Sequence, residues 1–561
     1  MPPVFSREIH RLVISTASLK YQMRTSPCEM ACLAGNPVQK VQSLVRENHM
    51  EKAIEYLRAR NPFPGTTGRI CTHPCETECN RRQYDEAINI KGLERAVADF
   101  ADMTKVRKPA RMDRSGKRIA VIGGGPAGLT FAYFSSLFGH EVTVFEAGPI
   151  LGGMPRLSVP DYRLSKDILD MEIGLVLETG VKARTNTRVG RDISFDEIRD
   201  SFDAVLVATG TWKERELKVP HADKALKGVD FLMRVNLGQI KEVGPKVIMM
   251  GGGGVAFDCA FTAKRLGAEE VHVVCLEKSD RMCAPPDDLV QAREEGIVIH
   301  NNSMVSRVLV RNGQVAGMEF FEITGFSFDE AGEACIGPAS GERHTLDGDT
   351  VIFAVGVQPE LDFIRGAGIL LNPDGTIKAD PNTRATSLEG VFAAGDAVCG
   401  PSMVARAVGQ GRETAIAVNR YLTGRPNDHE VFVIGEDSRI RLEPIARADQ
   451  PHVVSFEEMF NPEYYEKTPR KKTSISARVS FLERDHGFDA STASLEARRC
   501  FHCGHCHLCG KCVEDCPGLI LEMREKGPEV VYPDECWHCG NCRISCPDAA
   551  VSYEFPLYML V

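Results

Sequence analysis

Residues 118–146 read RIAVIGGGPAGLTFAYFSSLFGHEVTVFE, and this stretch decides the fold at the centre of the chain. Arg118 to Ile122 is a short apolar run of strand length, the segment to Phe138 has helical character, and Glu141 to Phe145 is a second strand that ends at Glu146. Together they predict a complete βαβ unit. Its first turn, Gly123-Gly-Gly-Pro-Ala-Gly128, has the G-x-G-x-x-G spacing. Gly123 permits the tight turn, Gly125 lets backbone approach a pyrophosphate, and Gly128 lets the helix pack closely on the strand. Glu146, 23 residues beyond Gly123, stands where an acid accepts from a ribose hydroxyl. Alone the motif is weak; between a strand and a helix it predicts a dinucleotide site.

Further along, the strand Lys246 to Met250 runs into Gly251-Gly-Gly-Gly-Val-Ala256, a helix through Leu266 and the strand Val271 to Cys275. An empty duplicate of the fold is the plainer alternative, and the intact glycine turn argues against it. Two nucleotide sites in one chain imply a flavin and a nicotinamide. Glu277, 26 residues after Gly251, would bind the ribose of NAD and repel the extra phosphate of NADP. NAD(H) is therefore expected over NADP, although Lys278 or Arg281 could offset that repulsion.

Outward from this centre, cysteine usage changes sharply. Of 20 cysteines, five fall between Cys28 and Cys79 and ten between Cys500 and Cys546. Disulfide frameworks suit small secreted domains, whereas these 561 residues predict three or more domains and carry no export pattern in Met1 to Lys20. The clustered thiols point to metal. Cys506, Cys509, Cys512 and Cys516 reappear 30 residues later as Cys536, Cys539, Cys542 and Cys546, with Pro517 and Pro547 after each last cysteine. This repeat resembles bacterial two-cluster ferredoxins, in which the fourth cysteine of each run crosses to the other cluster. The resemblance assigns Cys506, Cys509, Cys512 and Cys546 to one [4Fe-4S] cluster and Cys536, Cys539, Cys542 and Cys516 to a second. Zinc ribbons also pair Cys-x-x-Cys motifs but need neither the third thiolate of each run nor the crossed fourth. Cys500 and Cys503 extend the spacing toward the N-terminus, as a spare thiol pair or as an alternative ligand register.

Ala208-Thr-Gly210, Phe353-Ala-Val-Gly356 and Ala393-Ala-Gly-Asp396 complete a likeness to the two-dinucleotide-domain flavoprotein disulfide reductases. That resemblance implies an α/β fold of two Rossmann-like domains, with FAD at Gly123, Gly125, Pro126, Ala127, Gly128, Glu146, Gly153, Gly210, Gly395 and Asp396. It places the nicotinamide at Gly251, Gly253, Val255, Ala256, Glu277 and Gly356. A redox-active cysteine pair is missing from the middle of the chain, so thiol chemistry is disfavoured.

Asn61-Pro-Phe-Pro, Gly68-Arg-Ile-Cys71, Pro74-Cys-Glu76, Ile88-Asn-Ile90, Pro160-Asp-Tyr-Arg163 and Asp258-Cys-Ala260 are similar to the glutamate synthase small-subunit family, over about Pro27 to Gly424. The family includes the flavin end of dihydropyrimidine dehydrogenase and the large subunit of bifurcating transhydrogenases. Its members pass electrons between a nicotinamide and N-terminal clusters through FAD. Members with two N-terminal clusters have a cysteine pair upstream of the position of Cys28, and this chain has none. The resemblance then implies one N-terminal [4Fe-4S] cluster, on Cys32, Cys71, Cys75 and Glu94. Cys28 and Cys79 match the incomplete second cluster and are read as spare thiols, or one of them replaces Glu94. Zinc or a purely structural role is the alternative for all five.

The expected organisation is a helical iron–sulfur domain over 1–112, an FAD domain over 113–230 and 351–427, a nicotinamide domain over 231–350, a linker over 428–497 and a ferredoxin-like domain over 498–561. The expected function is electron transfer between NAD(P)H and iron–sulfur carriers through FAD, within a multi-subunit redox complex or toward ferredoxin. A glutamate synthase small subunit serving an amidotransferase is the alternative. Hydride transfer needs no acid, base or nucleophile, and none is nominated. A net charge of -10 offers no footprint for nucleic acid. No apolar run reaches spanning length, so a cytoplasmic location is expected.

Overall fold

The computed structural model describes residues 24–329, 334–424, 430–434, 440–444, 452–459, 465–468, 471–472, 474, 478, 480–506, 508–524 and 527–551. The segment Met1 to Lys20 and parts of the expected linker and C-terminal domain lie outside them. Among the described residues no helix is long and apolar enough to cross a membrane.

The N-terminal domain is helical: α1 (Pro27–Met30), α2 (Val38–Arg46), α3 (Met50–Arg58), α4 (Pro64–Ile70), α5 (Pro74–Thr77) and α6 (Ile90–Phe100). Apolar residues at helical spacing, among them Val41, Leu44, Ile54, Leu57, Leu93 and Val97, form its core. Gly68 of α4 lets that helix cross α6 closely, because a Cβ there would fall 2.7 Å from the backbone nitrogen of Arg95. This crossing brings the helix that precedes Cys71 against the helix that carries Glu94.

The first dinucleotide domain contains β1 (Arg118–Ile122), α7 (Pro126–Leu137), β2 (Glu141–Phe145), β3 (Lys182–Arg184) and β4 (Ala204–Val207). The chain then enters a second domain with β5 (Leu226–Lys227), β6 (Lys246–Met250), α8 (Gly254–Arg265), β7 (Glu270–Val274), β8 (Val298–His300) and β9 (Thr350–Phe353). It returns through β10 (Val391–Ala393) and the long helix α9 (Val404–Thr423). The two parallel sheets have the orders β10-β4-β1-β2-β3 and β8-β7-β6-β9-β5. Each βαβ unit read from the sequence is present in register. The boundaries at 230 and 351 need correction: β5 and all of β9 belong to the second sheet, so that domain begins by Leu226 and ends after Phe353. Strands of two to four residues carry too little alternation to be assigned from sequence.

The stretch expected as a linker is also corrected. His452–Val453 pairs with Arg24–Thr25, Glu483 bridges Arg69 and Arg95, and α10 (Ala490–Arg498) packs its Ala493 and Ala497 into the N-terminal core. It is a strap across the domains, and its last helix belongs with the helical domain.

A buried ionic group closes the joint between the two dinucleotide domains. Arg163 binds Asp258 at the start of α8 and Asp288 at 2.8 Å, and Arg484 of the strap reaches Asp288 at 3.2 Å. Burial raises the Asp288 carboxyl, but Arg163 and Arg484 outweigh it and hold the group below its usual range. Removing the central cation leaves half-buried Asp258 without its ion pair and buried Asp288 with Arg484 alone. Arg163→Met is therefore expected to destabilise this joint by about 3–5 kcal/mol, seen as a lower midpoint of thermal unfolding; an unchanged midpoint would refute the role.

Candidate functional site

Both glycine turns open toward empty space. The N-cap of α7 is Gly125, in extended backbone at φ -83°, and a Cβ there would meet nothing nearer than the Cα of Gly153 at 3.8 Å. Gly128 differs, since its Cβ would press within 2.1 Å of the Gly123 carbonyl. Gly128 thus serves packing, whereas the bare backbone of Gly125 serves a ligand that must come close. Glu146 accepts from the N–H groups of Gly124 at 2.8 Å and Gly148 at 2.7 Å, which fixes its carboxylate beside the turn. Gly153, Ala127 and Gly395 converge there, and Asp396 starts a short helix where it accepts from Ser402 at 2.7 Å. Gly210 follows β4, the neighbouring strand.

The second turn repeats the design. A Cβ at Gly253 or Gly254 meets nothing within 4 Å, Val255 is exposed, and Ala256, in the first turn of α8, is buried. Glu277 lies against Gly252 as Glu146 lies beside Gly124. Gly356 follows β9, where the chain crosses back toward Arg215. Each turn can therefore seat a pyrophosphate at a helix N-terminus.

Four sets of acid or thiol side chains gather elsewhere, three of them around cavities. Cys32, Cys71, Cys75 and Glu94 line one cavity with Val38, Leu57 and Ala405. Asn61 donates to Glu94 at 3.2 Å and Thr67 donates to the same oxygen, so the Asn61-Pro-Phe-Pro motif positions this carboxylate. Burial pushes the Glu94 carboxyl up to about 7 and the Cys71 thiol up to about 12. Cys516, Cys536, Cys539 and Cys542 line another cavity, together with Ile520, Leu521 and Val530. Cys546 lies instead within electrostatic reach of Cys506 and Cys512, and Cys509 within reach of the same two. The crossed partners anticipated from the repeat are thus side by side.

The remaining cavity was not foreseen. Cys28 and Cys79 face a space also lined by Cys500 and Cys503. Cys28 and Cys79 thus line a different cavity from the one that Glu94 lines. The Cys-x-x-Cys spacing of Cys500 and Cys503 was visible in the sequence; partners more than 400 residues away were not.

Each set supplies four donors, thiols alone or three thiols and a carboxylate, and all 20 cysteines are unpaired thiols. Buried thiols with raised pKa values need a metal's charge to exist as thiolates near neutral pH. Backbone also points at sulfur: the N–H groups of His73, Leu508 and His538 donate to Cys71, Cys506 and Cys536, two residues before each, at 3.3–3.4 Å.

Residues 84–196 and 117–411 match the pyridine nucleotide-disulphide oxidoreductase family. The chain belongs to that family. Residues 7–106 match the 4Fe-4S cluster domain II of dihydropyrimidine dehydrogenase, and residues 505–550 match a 4Fe-4S dicluster domain. Among curated relatives, the NADP(+)-dependent formate dehydrogenase subunit beta of Moorella thermoacetica is 33% identical over 511 residues, 85% of this chain and 70% of that protein. The NADPH-Fe(3+) oxidoreductase subunit beta of Geobacter sulfurreducens is 31% identical over 510 residues, 85% of this chain and 75% of that one. The glutamate synthase [NADPH] small chain of Azospirillum brasilense is 32% identical over 418 residues, 70% and 86% of the two chains. The resemblance read from the N-terminal and central motifs is sound. As a member of this oxidoreductase family the chain binds FAD and a nicotinamide nucleotide, and its two flanking modules carry [4Fe-4S] clusters.

Proposed function

We propose that this chain is the nicotinamide-linked electron-transfer subunit of a larger oxidoreductase, and that its internal wire begins where the two dinucleotide domains meet the N-terminal thiols. One observation carries the reading. A single cleft is lined by Gly254 and Val255 of the second glycine turn, by Ser402 to Val404 of the first domain, and by Cys71 and Lys91 of the helical domain. The start of α8, the start of α9 and Cys71 then share one wall, and Cys71 also lines the separate cavity with Cys32, Cys75 and Glu94 behind it. Contacts behind it are tight: the Leu33 carbonyl would lie 2.1 Å from a Cβ at Gly409, and Arg412 donates to the carbonyl of Ala34. The loop after Cys32 is thereby clamped to the helix that follows Asp396.

Bound there, FAD supplies the conversion of a hydride, two electrons at once, into single electrons that iron–sulfur clusters can take. The chain's own residues orient and exclude. Glu146 and Glu277 set the ribose ends of the two nucleotides, Gly125 and Gly253 expose backbone N–H groups to the pyrophosphates, and Asp396 stands toward the first of these sites. Cys506, Cys509, Cys512 and Cys546, with Cys536, Cys539, Cys542 and Cys516, hold the far pair of clusters. Leu508, Leu519, Tyr532, Trp537 and Ile544 are exposed around that pair, an apolar rim suited to a partner subunit or a ferredoxin.

Coverage supports this reading over a glutamate synthase role, because the two beta subunits align over 511 and 510 residues and the glutamate synthase small chain over 418. Both beta subunits have NADP or NADPH in their names, yet here Glu277 occupies the ribose position, which favours NADH. Glu277→Ala is expected to weaken NADH about tenfold while affecting NADPH less, read as the ratio of KM values for flavin reduction. An unchanged ratio would remove this coenzyme assignment. The wider proposal fails if the oxygen-protected protein does not bleach its flavin with either reduced nucleotide.

A further inference from the structure

Four thiols belong to none of the three sets assigned to clusters: Cys28 and Cys503 are buried, Cys79 and Cys500 half-buried. Cys28 and Cys79 come from the helical domain, Cys500 and Cys503 from the end of the strap, and all four face one cavity walled by Val38, Ile88 and Ile90. We propose that they hold a further [4Fe-4S] cluster whose ligands come from opposite ends of the chain, giving four clusters in all. The proposal rests on the reading that the other three thiol sets hold clusters, and it differs from the single N-terminal cluster that the sequence implies.

The sulfur environment is that of a ligand loop. His502 has φ 49°, and its N–H donates to the Cys500 sulfur at 3.4 Å. His73, Leu508 and His538 repeat this turn, with φ of 48°, 62° and 54°, each donating to the cysteine two residues before it. Left-handed backbone is uncommon for residues other than glycine. Its recurrence at four Cys-x-x positions, three of them assigned to clusters on other grounds, marks Cys500 as a fourth of the same kind. Asn80 donates to the Cys503 sulfur at 3.4 Å, and Ser26 lies 3.0 Å from the Cys28 sulfur.

The strap is also built to hold this pair in place. Gln39 donates to the Cys503 carbonyl at 3.1 Å, and Ser494 donates to the Arg46 carbonyl at 2.9 Å. Glu496 accepts from the N–H of Asn89 at 3.0 Å and pairs with Arg499 at 2.8 Å. Arg499, wholly buried, reaches Asp85 at 3.1 Å and the Glu86 carbonyl at 2.7 Å, and Arg81 donates to the Arg499 carbonyl. Two buried guanidinium groups with carboxylate partners are a costly way to fasten a spare thiol pair. They are reasonable for a ligand-bearing segment. The thiols also raise one another's pKa, with Cys79, Cys500 and Cys503 adding to the effect of burial on Cys28.

The position gives the cluster its purpose. Cys28 and Cys32 are four residues apart, as are Cys75 and Cys79, so two short segments each serve both N-terminal cavities. At the other side Cys503 is three residues from Cys506, which limits their Cα separation to about 11 Å. The proposed cluster therefore lies between the Glu94 site and the ferredoxin-like pair. Single electrons would pass along this line without any bond being made or broken.

Iron, acid-labile sulfide and FAD are to be measured on the full chain purified without oxygen, with zinc measured in parallel. About sixteen irons and sixteen sulfides per chain are expected for four cubanes. The double variant Cys500→Ser/Cys503→Ser and the variant Cys79→Ser are each expected to retain about twelve. A wild-type content of about twelve, or zinc in place of four of the irons, would overturn the proposal even if the variants did not fold. FAD content and its bleaching by NADH, recorded on the same wild-type sample, report on the electron-transfer reading separately.

Discussion

A Gly125→Val chain is expected to fold, to keep its iron and to emerge without FAD. The backbone of Gly125 is extended at φ -83° and ψ -177°, a conformation that valine adopts readily, and no protein atom other than the Gly153 Cα stands within 4 Å of the added Cβ. The substitution therefore costs little in the protein itself. It fills the approach to the N-terminus of α7, where free N–H groups would otherwise meet a pyrophosphate. Losing two hydrogen bonds to a charged group, at about 1.5–3 kcal/mol each, weakens binding by roughly two to four orders of magnitude. The check is the flavin-to-protein ratio of purified material beside its iron content. Flavin near one per chain would show that α7 does not carry the site. The contrast is Gly128, where a Cβ would press against the Gly123 carbonyl and the whole βαβ unit would suffer.

How much of this could be read from residue order follows from the range of each interaction. The two βαβ units were legible because their signals are local: an apolar strand, a glycine turn and a helix within some thirty residues. The repeat of the C-terminal thiols was legible because one spacing occurs twice, and their crossing followed from the resemblance to two-cluster ferredoxins that this repeat carries. Cys28, Cys79, Cys500 and Cys503 were not, since nothing in the order of residues says that α10 returns to α2 and α6. The same holds for Glu483 and Arg484, which look like charges on a polar stretch until Arg69, Arg95 and Asp288 are set beside them. The boundary errors at 230 and 351 have another cause. Leu226–Lys227 is a strand only because Ile352 and Phe353 pair with it.

The second large effect separates the flavin from everything beyond it. Cys71 lies on the wall of the shared cleft and on the wall of the cavity with Cys32, Cys75 and Glu94. Cys71→Ser is expected to leave the reaction between NADH and the flavin within a few-fold of the native rate, because neither glycine turn is touched. Electrons should then fail to leave. In a single turnover followed anaerobically, reduction of the C-terminal clusters is expected to slow by about two orders of magnitude, equivalent to about 2.7 kcal/mol in the barrier. The variant therefore holds a bleached flavin beside oxidised clusters. If the C-terminal clusters are instead reduced at the native rate, the wire does not begin at Cys71, and the shared cleft is only a route for the nucleotide. If flavin reduction itself stops, Cys71 belongs to the hydride site. The native geometry distinguishes these outcomes in advance: Cys71 and Ala405 bound the same cavity, and the helix that begins at Val404 closes the first dinucleotide domain.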